Sequence, residues 1–164
     1  MSAGMYSVDK MREILTCYLE KKGLRKTVER YTILECICHM QGHFDVETLR
    51  KHVAENHFRV SQAAVYNTIE LLMDAGLVVR HQFSSQVVQY ELKSAALTHH
   101  HAICCYCGSI REVKIDRVKI AADYKIARFT PEYHSLYIYG MCSKCKFREK
   151  FQMKKTINEQ QKQK

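Results

Sequence analysis

Two pairs of cysteines constrain the fold of this 164-residue chain more than any other feature of its sequence. Cys104 and Cys107 form one C-x-x-C motif, and 34 residues separate it from a second one formed by Cys142 and Cys145. Two residues between thiolates let both sulfurs face one ion, and four such sulfurs satisfy tetrahedral Zn²⁺. A closed shell of four sulfurs has no open position. We therefore expect a structural zinc site that joins two distant segments.

The remaining cysteines have no such spacing, and we interpret them as small hydrophobic residues or idle thiols. They are Cys17, Cys36, Cys38 and Cys105. In a reducing compartment the paired pattern favours metal over a disulfide framework. No run of about 18 apolar residues predicts a membrane span, and residues 1–10 lack the pattern of a secretory signal. We expect a cytoplasmic protein.

Apolar residues recur at helical spacing through the first half of the chain, and they predict four helices. These are 8–19, a helix capped by Thr27 that stops before Gly42, a helix from Asp45 to near Asn56, and 62–75 capped by Ser61. The second helix is expected to bury Tyr31, Leu34, Ile37 and Cys38. Two β-rich runs, 77–80 and 86–92, then predict a hairpin. This order is typical of a winged helix-turn-helix. In that motif, the helix that follows the short turn enters the major groove of DNA.

Beyond residue 95 the pattern changes to short β-rich segments, with one possible helix over 116–124. The predicted strands are 99–103, 109–115, 126–130 and 135–141. The fold class is therefore α+β, with a second domain behind the winged helix. The net charge is +9, but residues 142–164 supply +6 of it. Bulk charge is consequently weak support for DNA binding, and a solvated basic tail explains it equally well.

A second cluster of metal-binding residue types begins at His99-His100-His101. Alternate residues of a strand share a face, so His99 and His101 point one way and His100 the other. Glu91 and Glu112 lie in neighbouring β-rich segments. Imidazole with carboxylate suits Zn²⁺, Fe²⁺, Mn²⁺ or Co²⁺, and these residues alone do not choose among them. The alternative is a set of partly exposed histidines on a polar strand.

Several spaced motifs resemble the ferric uptake regulator family across about residues 8–148. They are Gly23-Leu24-Arg25-x-Thr27-x-x-Arg30-x-x-Ile33-Leu34, His43, Ala64-Val65-Tyr66-x-Thr68-x-x-x-Leu72-x-x-x-Gly76-Leu77, Tyr90-Glu91, His99-x-His101-x-x-Cys104-x-x-Cys107-Gly108, His134-x-x-x-Tyr137-x-x-Gly140 and Cys142-x-x-Cys145. On this resemblance the chain is identified as a member of that family.

The resemblance implies a homodimer that binds a palindromic operator when its sensory site holds metal. It divides the chain into a winged-helix DNA-binding domain (1–92), a hinge (93–98), a dimerisation and metal-binding α/β domain (99–148) and a basic tail (149–164). It assigns the four paired cysteines to structural zinc. The sensory ligands that it implies are His43, Glu91, His99, His101 and Glu112. Metal there would fix the angle between domains, so that two recognition helices meet successive major grooves.

Two departures from the family pattern bear on function. The family often has a further metal site, to which His134 would belong. The positions that would supply its other ligands hold Thr98, His100 and Lys119 in this chain, so that site is degraded. The recognition helix has Asn67 where the family has arginine, which removes a cation that would contact phosphate or guanine.

The resemblance to the family also implies which residues contact DNA. The groove candidates are Ser61, Gln62, Tyr66 and Asn67, and the backbone candidates are Arg25, Lys26 and Arg30. For the basic residues, a solvated helix end is an equally good interpretation.

The sensory residues also bear on the metal. Relatives that sense peroxide place aspartate at the positions of Glu91 and Glu112, and zinc-uptake regulators add a thiol near Glu91. Neither change is present, so we expect an iron-responsive repressor. The alternatives are a peroxide- or zinc-sensing member, or a zinc-stabilised, metal-independent DNA-binding or scaffold protein with a vestigial sensor. Hydrolytic chemistry would need an open metal position beside a base in a cleft. Because no residue pattern marks a substrate pocket, we expect no enzyme.

Overall fold

The computed structural model describes residues 7–84, 87–115, 126–130 and 134–162, with side chains as far as Gln152. It divides into two compact units, Met1–Thr98 and His99–Lys164. The helix predicted over 116–124, with Lys119, lies outside the described residues.

The first unit consists of a helical bundle followed by a hairpin. Its elements are α1 (Val8–Lys21), α2 (Val28–His39), α3 (Val46–Glu55), α4 (Gln62–Asp74), β1 (Val78–Gln82), β2 (Val88–Leu92) and α5 (Lys93–Ala96). The strands β1 and β2 are antiparallel, with Val78 opposite Leu92 and Gln82 opposite Val88. The four predicted helices and the hairpin are all present.

Side-chain caps set the start of two of these helices. Oδ1 of Asp45 accepts a hydrogen bond from the backbone N–H of Thr48 at 2.7 Å. Oγ of Ser61 accepts one from the backbone N–H of Ala64 at 3.1 Å. The bonds to Thr48 lower the pKa of the Asp45 carboxyl, because they favour its charged form. Thr27 occupies the cap position of α2 but makes no side-chain capping bond.

The helix α4 ends at a glycine that the backbone geometry requires. Gly76 has a φ of +71°, in the region that L side chains rarely adopt. The N–H of Gly76 bonds to the carbonyl of Met73, and the N–H of Leu77 bonds to that of Leu72. These two bonds satisfy carbonyls that the helix end leaves over, and they turn the chain directly into β1.

The core of the first unit lies among α1–α4 and the hairpin. The buried set of α2 differs from the prediction: Ile33 and Cys36 are buried with Leu34 and Ile37, whereas Tyr31 and Cys38 are only half-buried. The physical reason is that α2 packs against α1, α3, α4 and β2, so it is covered on more than one side.

The second unit is built on a three-stranded sheet. Its elements are β3 (His100–Cys104), β4 (Ile110–Val113), β5 (Tyr137–Gly140) and α6 (Ser143–Lys162). The strand β3 is central, antiparallel to β4 and parallel to β5.

One expectation for the second unit was wrong. Residues 126–130 form no strand, because the N–H of Phe129 bonds to the carbonyl of Ile126 and closes a turn with Arg128 at a φ of +60°. The basic tail predicted over 149–164 continues α6 as helix as far as Lys162. Its lysine, glutamate and glutamine residues are good helix formers, and it contains neither proline nor glycine. Among the described helices, none has both the length and the apolar character needed to cross a membrane.

Candidate metal centres

The register of β3 against β5 brings the two C-x-x-C motifs together. Cys104 ends β3 and lies opposite Gly140 of β5, two residues before Cys142. One ligand atom from each of the four cysteines lies within 4.8 Å of the others, and the sulfurs of Cys107 and Cys142 are 3.7 Å apart. Cys145 reaches the cluster from the first turn of α6. Four sulfurs at these separations can converge on one tetrahedral ion.

The electrostatics of the cluster also fit a bound cation. The backbone N–H of Cys142 donates to the sulfur of Cys104 at 3.3 Å and is the main reason that the pKa of Cys104 falls to about 6. The neighbouring thiols, Cys107 first, raise the pKa of Cys145. Four thiolates this close cannot all ionise without a positive charge between them, and Zn²⁺ supplies that charge. The donor set therefore fits structural zinc.

The first unit contains a second group of possible metal ligands, which lies beside the hairpin. Phe44 and Tyr90 exchange two backbone hydrogen bonds of 2.8–2.9 Å, which places His43 next to Glu91. Nε2 of His43 lies 3.3 Å from Oε1 of Glu91. The Glu91 side chain is 0% exposed. A fully buried carboxylate is costly unless a cation or donor compensates its charge, so this pair fits a metal-binding function.

A further histidine of this group, His81, was missed by the sequence analysis. Its Nε2 lies 2.5 Å from Oε1 of Glu91, and the side chain is 1% exposed. No spacing motif marks this residue, because it is a single histidine in a strand of mixed composition. The signal is in the hairpin register: His81 lies opposite Gln89, so Glu91, two residues further, shares its face.

The second unit gathers the predicted histidines at the start of β3. The Nε2 atoms of His99 and His101 are 3.1 Å apart, and both side chains are buried. Nε2 of His99 lies 3.9 Å from Oε1 of Glu112, whose side chain is 51% exposed. The ring of His101 stacks on Tyr137, with centroids 5.8 Å apart. His99, His101 and Glu112 therefore form a group of possible metal ligands at the sheet, and Glu112 is the one that faces solvent.

Among the described residues, the further metal site of the family, around His100 and His134, has fewer ligands close together than the two groups above. The rings of His100 and His134 have centroids 5.9 Å apart. Desolvation, followed by the charge of His134, lowers the pKa of His100. The hydroxyl of Thr98 donates to the carbonyl of Ala95 at 2.7 Å, and Lys119 lies outside the described residues.

The helix α4, which carries the predicted groove contacts, presents an exposed polar face. Tyr66 is 44% exposed, and Gln62 and Asn67 are also exposed. The hydroxyl of Ser61 accepts the cap bond of this helix. Two of the basic candidates already have partners within the first unit. Lys26 pairs with Glu20, and Arg30 donates to the carbonyl of Arg25, whose own side chain is exposed.

Comparisons with known proteins agree with these observations. Residues 21–139 match the Ferric uptake regulator family. The Ferric uptake regulation protein of Shigella flexneri is 36% identical over 137 residues, which cover 80% of this chain and 90% of that protein. The peroxide-responsive repressor PerR of Staphylococcus epidermidis is 26% identical over 149 residues, covering 89% of this chain and 97% of that one.

A solved structure supports the same conclusion. The Ferric uptake regulator from Pseudomonas aeruginosa, determined with manganese, aligns with a TM-score of 0.64 at 26% identity, covering 78% of this chain and 97% of that one. The predicted α+β fold is confirmed. The chain belongs to the ferric uptake regulator family of metal-responsive transcription regulators.

Proposed function

We propose that this chain acts as a homodimeric repressor that binds palindromic operator DNA when divalent metal fills its sensory site. The proposed sensory ligands are His43, Glu91, His99, His101 and Glu112, and the four paired cysteines hold structural zinc. We further propose iron as the sensory metal and iron homeostasis as the controlled process. Glutamates at positions 91 and 112, with no thiol beside them, support that choice. The protein would work in the cytoplasm, where its thiols stay reduced.

The observation that carries this proposal is the burial of Glu91 beside His43. Neighbouring ligand atoms held at about 2.0–2.2 Å from an ion with five ligands lie about 3–3.6 Å from one another. The 3.3 Å between His43 Nε2 and Glu91 Oε1 matches that spacing. In the second unit, the 3.1 Å between the Nε2 atoms of His99 and His101 is similar. The bound ion would supply the positive charge that a buried carboxylate requires.

The residues of the chain then account for the switch. Imidazole nitrogens and carboxylate oxygens are the ligand atoms that the chain offers, and metal binding favours the conformation that holds all of them in place. Such a preference shifts the population toward the DNA-binding form without a change of fold. The exposed face of α4 would enter the major groove, where Asn67 could pair with adenine and Tyr66 could contact bases or backbone.

The test is operator binding as a function of metal. Zinc-loaded protein, prepared without oxygen, would select DNA from a random library in the presence of Fe²⁺. Its affinity for that DNA would then be measured by fluorescence anisotropy with Fe²⁺, with Mn²⁺ and with a chelator that leaves the cysteine site filled. We expect metal to raise the affinity by about 5- to 150-fold, the usual range of allosteric coupling. Equal affinity with and without metal would identify a constitutive zinc-stabilised binder instead.

Tyr66→Ala is expected to weaken operator binding by about 10-fold or more, since a good groove contact contributes about 1–3 kcal/mol. Tyr66→Phe keeps the ring and removes only the hydroxyl, so comparing the two variants separates stacking from hydrogen bonding. Zinc content and dimer mass should stay unchanged in both, because the side chain is exposed on a helix of the first unit. Unchanged affinity of the alanine variant would mean that α4 is not the recognition helix.

A further inference from the structure

We propose that His81 is a positioning residue of the sensory site: it holds the Glu91 carboxylate in the orientation that presents Oε1 to a metal ion shared with His43. This inference rests on the proposed sensory function and adds a residue outside its five ligands. It is carried by two separations around one oxygen atom, Glu91 Oε1, and by the packing that fixes the His81 ring.

The two separations indicate different functions for the two histidines. His43 Nε2 lies 3.3 Å from Glu91 Oε1, within the spacing of about 3–3.6 Å expected for neighbouring ligands of one ion with five ligands. His81 Nε2 lies only 2.5 Å from the same oxygen. That separation is too short for two ligands of one ion, and it places the ring nitrogen of His81 in direct contact with the carboxylate oxygen. His81 therefore acts on the ligand rather than on the metal.

The surroundings of His81 hold its ring in this position. The ring stacks on Phe83, with centroids 5.4 Å apart and planes within 7° of parallel. Phe83 also meets the His43 ring edge-on, with centroids 5.3 Å apart. Both His81 and Phe83 are buried, and the antiparallel register holds His81 on the same face as Glu91. The partner of Glu91 is thus placed by backbone pairing and by packing before any metal binds.

A partner of this kind affects metal affinity but not the number of ligands. Groups that orient a metal ligand typically change affinity by about 10- to 100-fold when they are removed. A glutamine at position 81 could place an amide N–H where the imidazole Nε2 lies, whereas a leucine of similar volume could not donate at all. The pair His81→Leu and His81→Gln therefore separates the donor function from simple filling of space.

The experiment is a Co²⁺ titration of full-length protein whose cysteine site is already filled with zinc, followed by visible absorption. For His81→Leu we expect one Co²⁺ per chain, an affinity about 10- to 100-fold below the wild type, and an unchanged band intensity per bound ion. His81→Gln should recover most of the lost affinity. The matched control is His52→Leu, which replaces an exposed histidine on α3 and should bind as the wild type does.

Several outcomes would overturn the inference. Wild-type affinity in His81→Leu would show that His81 does not position Glu91. A changed band intensity that reports a different coordination number would show that His81 is itself a ligand. If His81→Gln is as weak as His81→Leu, and both melt at lower temperature without metal, the histidine only fills space. A wild-type protein that takes up no Co²⁺ beyond its zinc would instead refute the proposed sensory function.

Discussion

Cys104→Ser is expected to remove zinc from the chain and to unfold the unit His99–Lys164. Structural zinc contributes about 10–16 kcal/mol of apparent binding free energy in small metal-dependent folds. That is as large as the whole stability of a typical domain, about 5–15 kcal/mol. Among the described residues of this unit, the only buried apolar side chains are Ile103 and Cys104 itself. So small an apolar core cannot replace the metal.

The measurement is zinc content per chain by elemental analysis, together with circular dichroism during thermal unfolding. The first unit has its own core and should keep its helical signal and its transition. Cys105→Ser is the matched control, because Cys105 is an exposed neighbour that does not belong to the cysteine cluster. A Cys104→Ser protein that keeps a wild-type unfolding profile without zinc would refute the structural function of this site.

Glu91→Gln is expected to abolish the response of the protein to divalent metal. The substitution keeps the volume and one carbonyl oxygen, but it removes the only charge that the buried side chain could offer to a cation. An amide is a much weaker ligand for Fe²⁺ or Mn²⁺ than a carboxylate. We therefore expect sensory affinity to fall by more than the approximately 10- to 100-fold predicted for His81→Leu. Operator binding should no longer change when metal is added.

Two comparisons make the Glu91→Gln result specific. Glu55→Gln alters an exposed residue at the end of α3 and should leave both metal and DNA binding unchanged. Glu112→Gln alters a proposed ligand that is half exposed, so solvent can partly replace it, and its effect should be intermediate. Metal-dependent operator binding that persists in Glu91→Gln would show that Glu91 is not a ligand of the sensory ion.

Sequence patterns were sufficient where structure depends on local chemistry. The caps at Asp45 and Ser61 and the stop at Gly76 follow from the preferences of single residues for particular backbone positions. The cysteine cluster was also predictable, because a C-x-x-C turn already faces both sulfurs toward one ion. The pairing of the two motifs then needs only the parallel register of β3 and β5.

Features that depend on packing between distant segments were not predictable in this way. His81 lies ten residues from Glu91, and only the register of the hairpin brings the two side chains to one face. The burial of Ile33 and Cys36 reflects the number of elements around α2 rather than its apolar period. The strand expected over 126–130 is replaced by a turn whose left-handed residue is an arginine, a residue type that gives no warning of such a conformation.

The strand β3 has a consequence for how the protein would respond to the supply of two nutrient metals. His101 lies near its start and Cys104 ends it, so only two residues separate a proposed sensory ligand from a zinc ligand. A chain that has not yet acquired zinc would lack the ordered strand that holds His101 beside His99. Zinc would then have to be loaded before the proposed sensory metal can bind, and without zinc the protein would stop binding its operator even while that metal is plentiful.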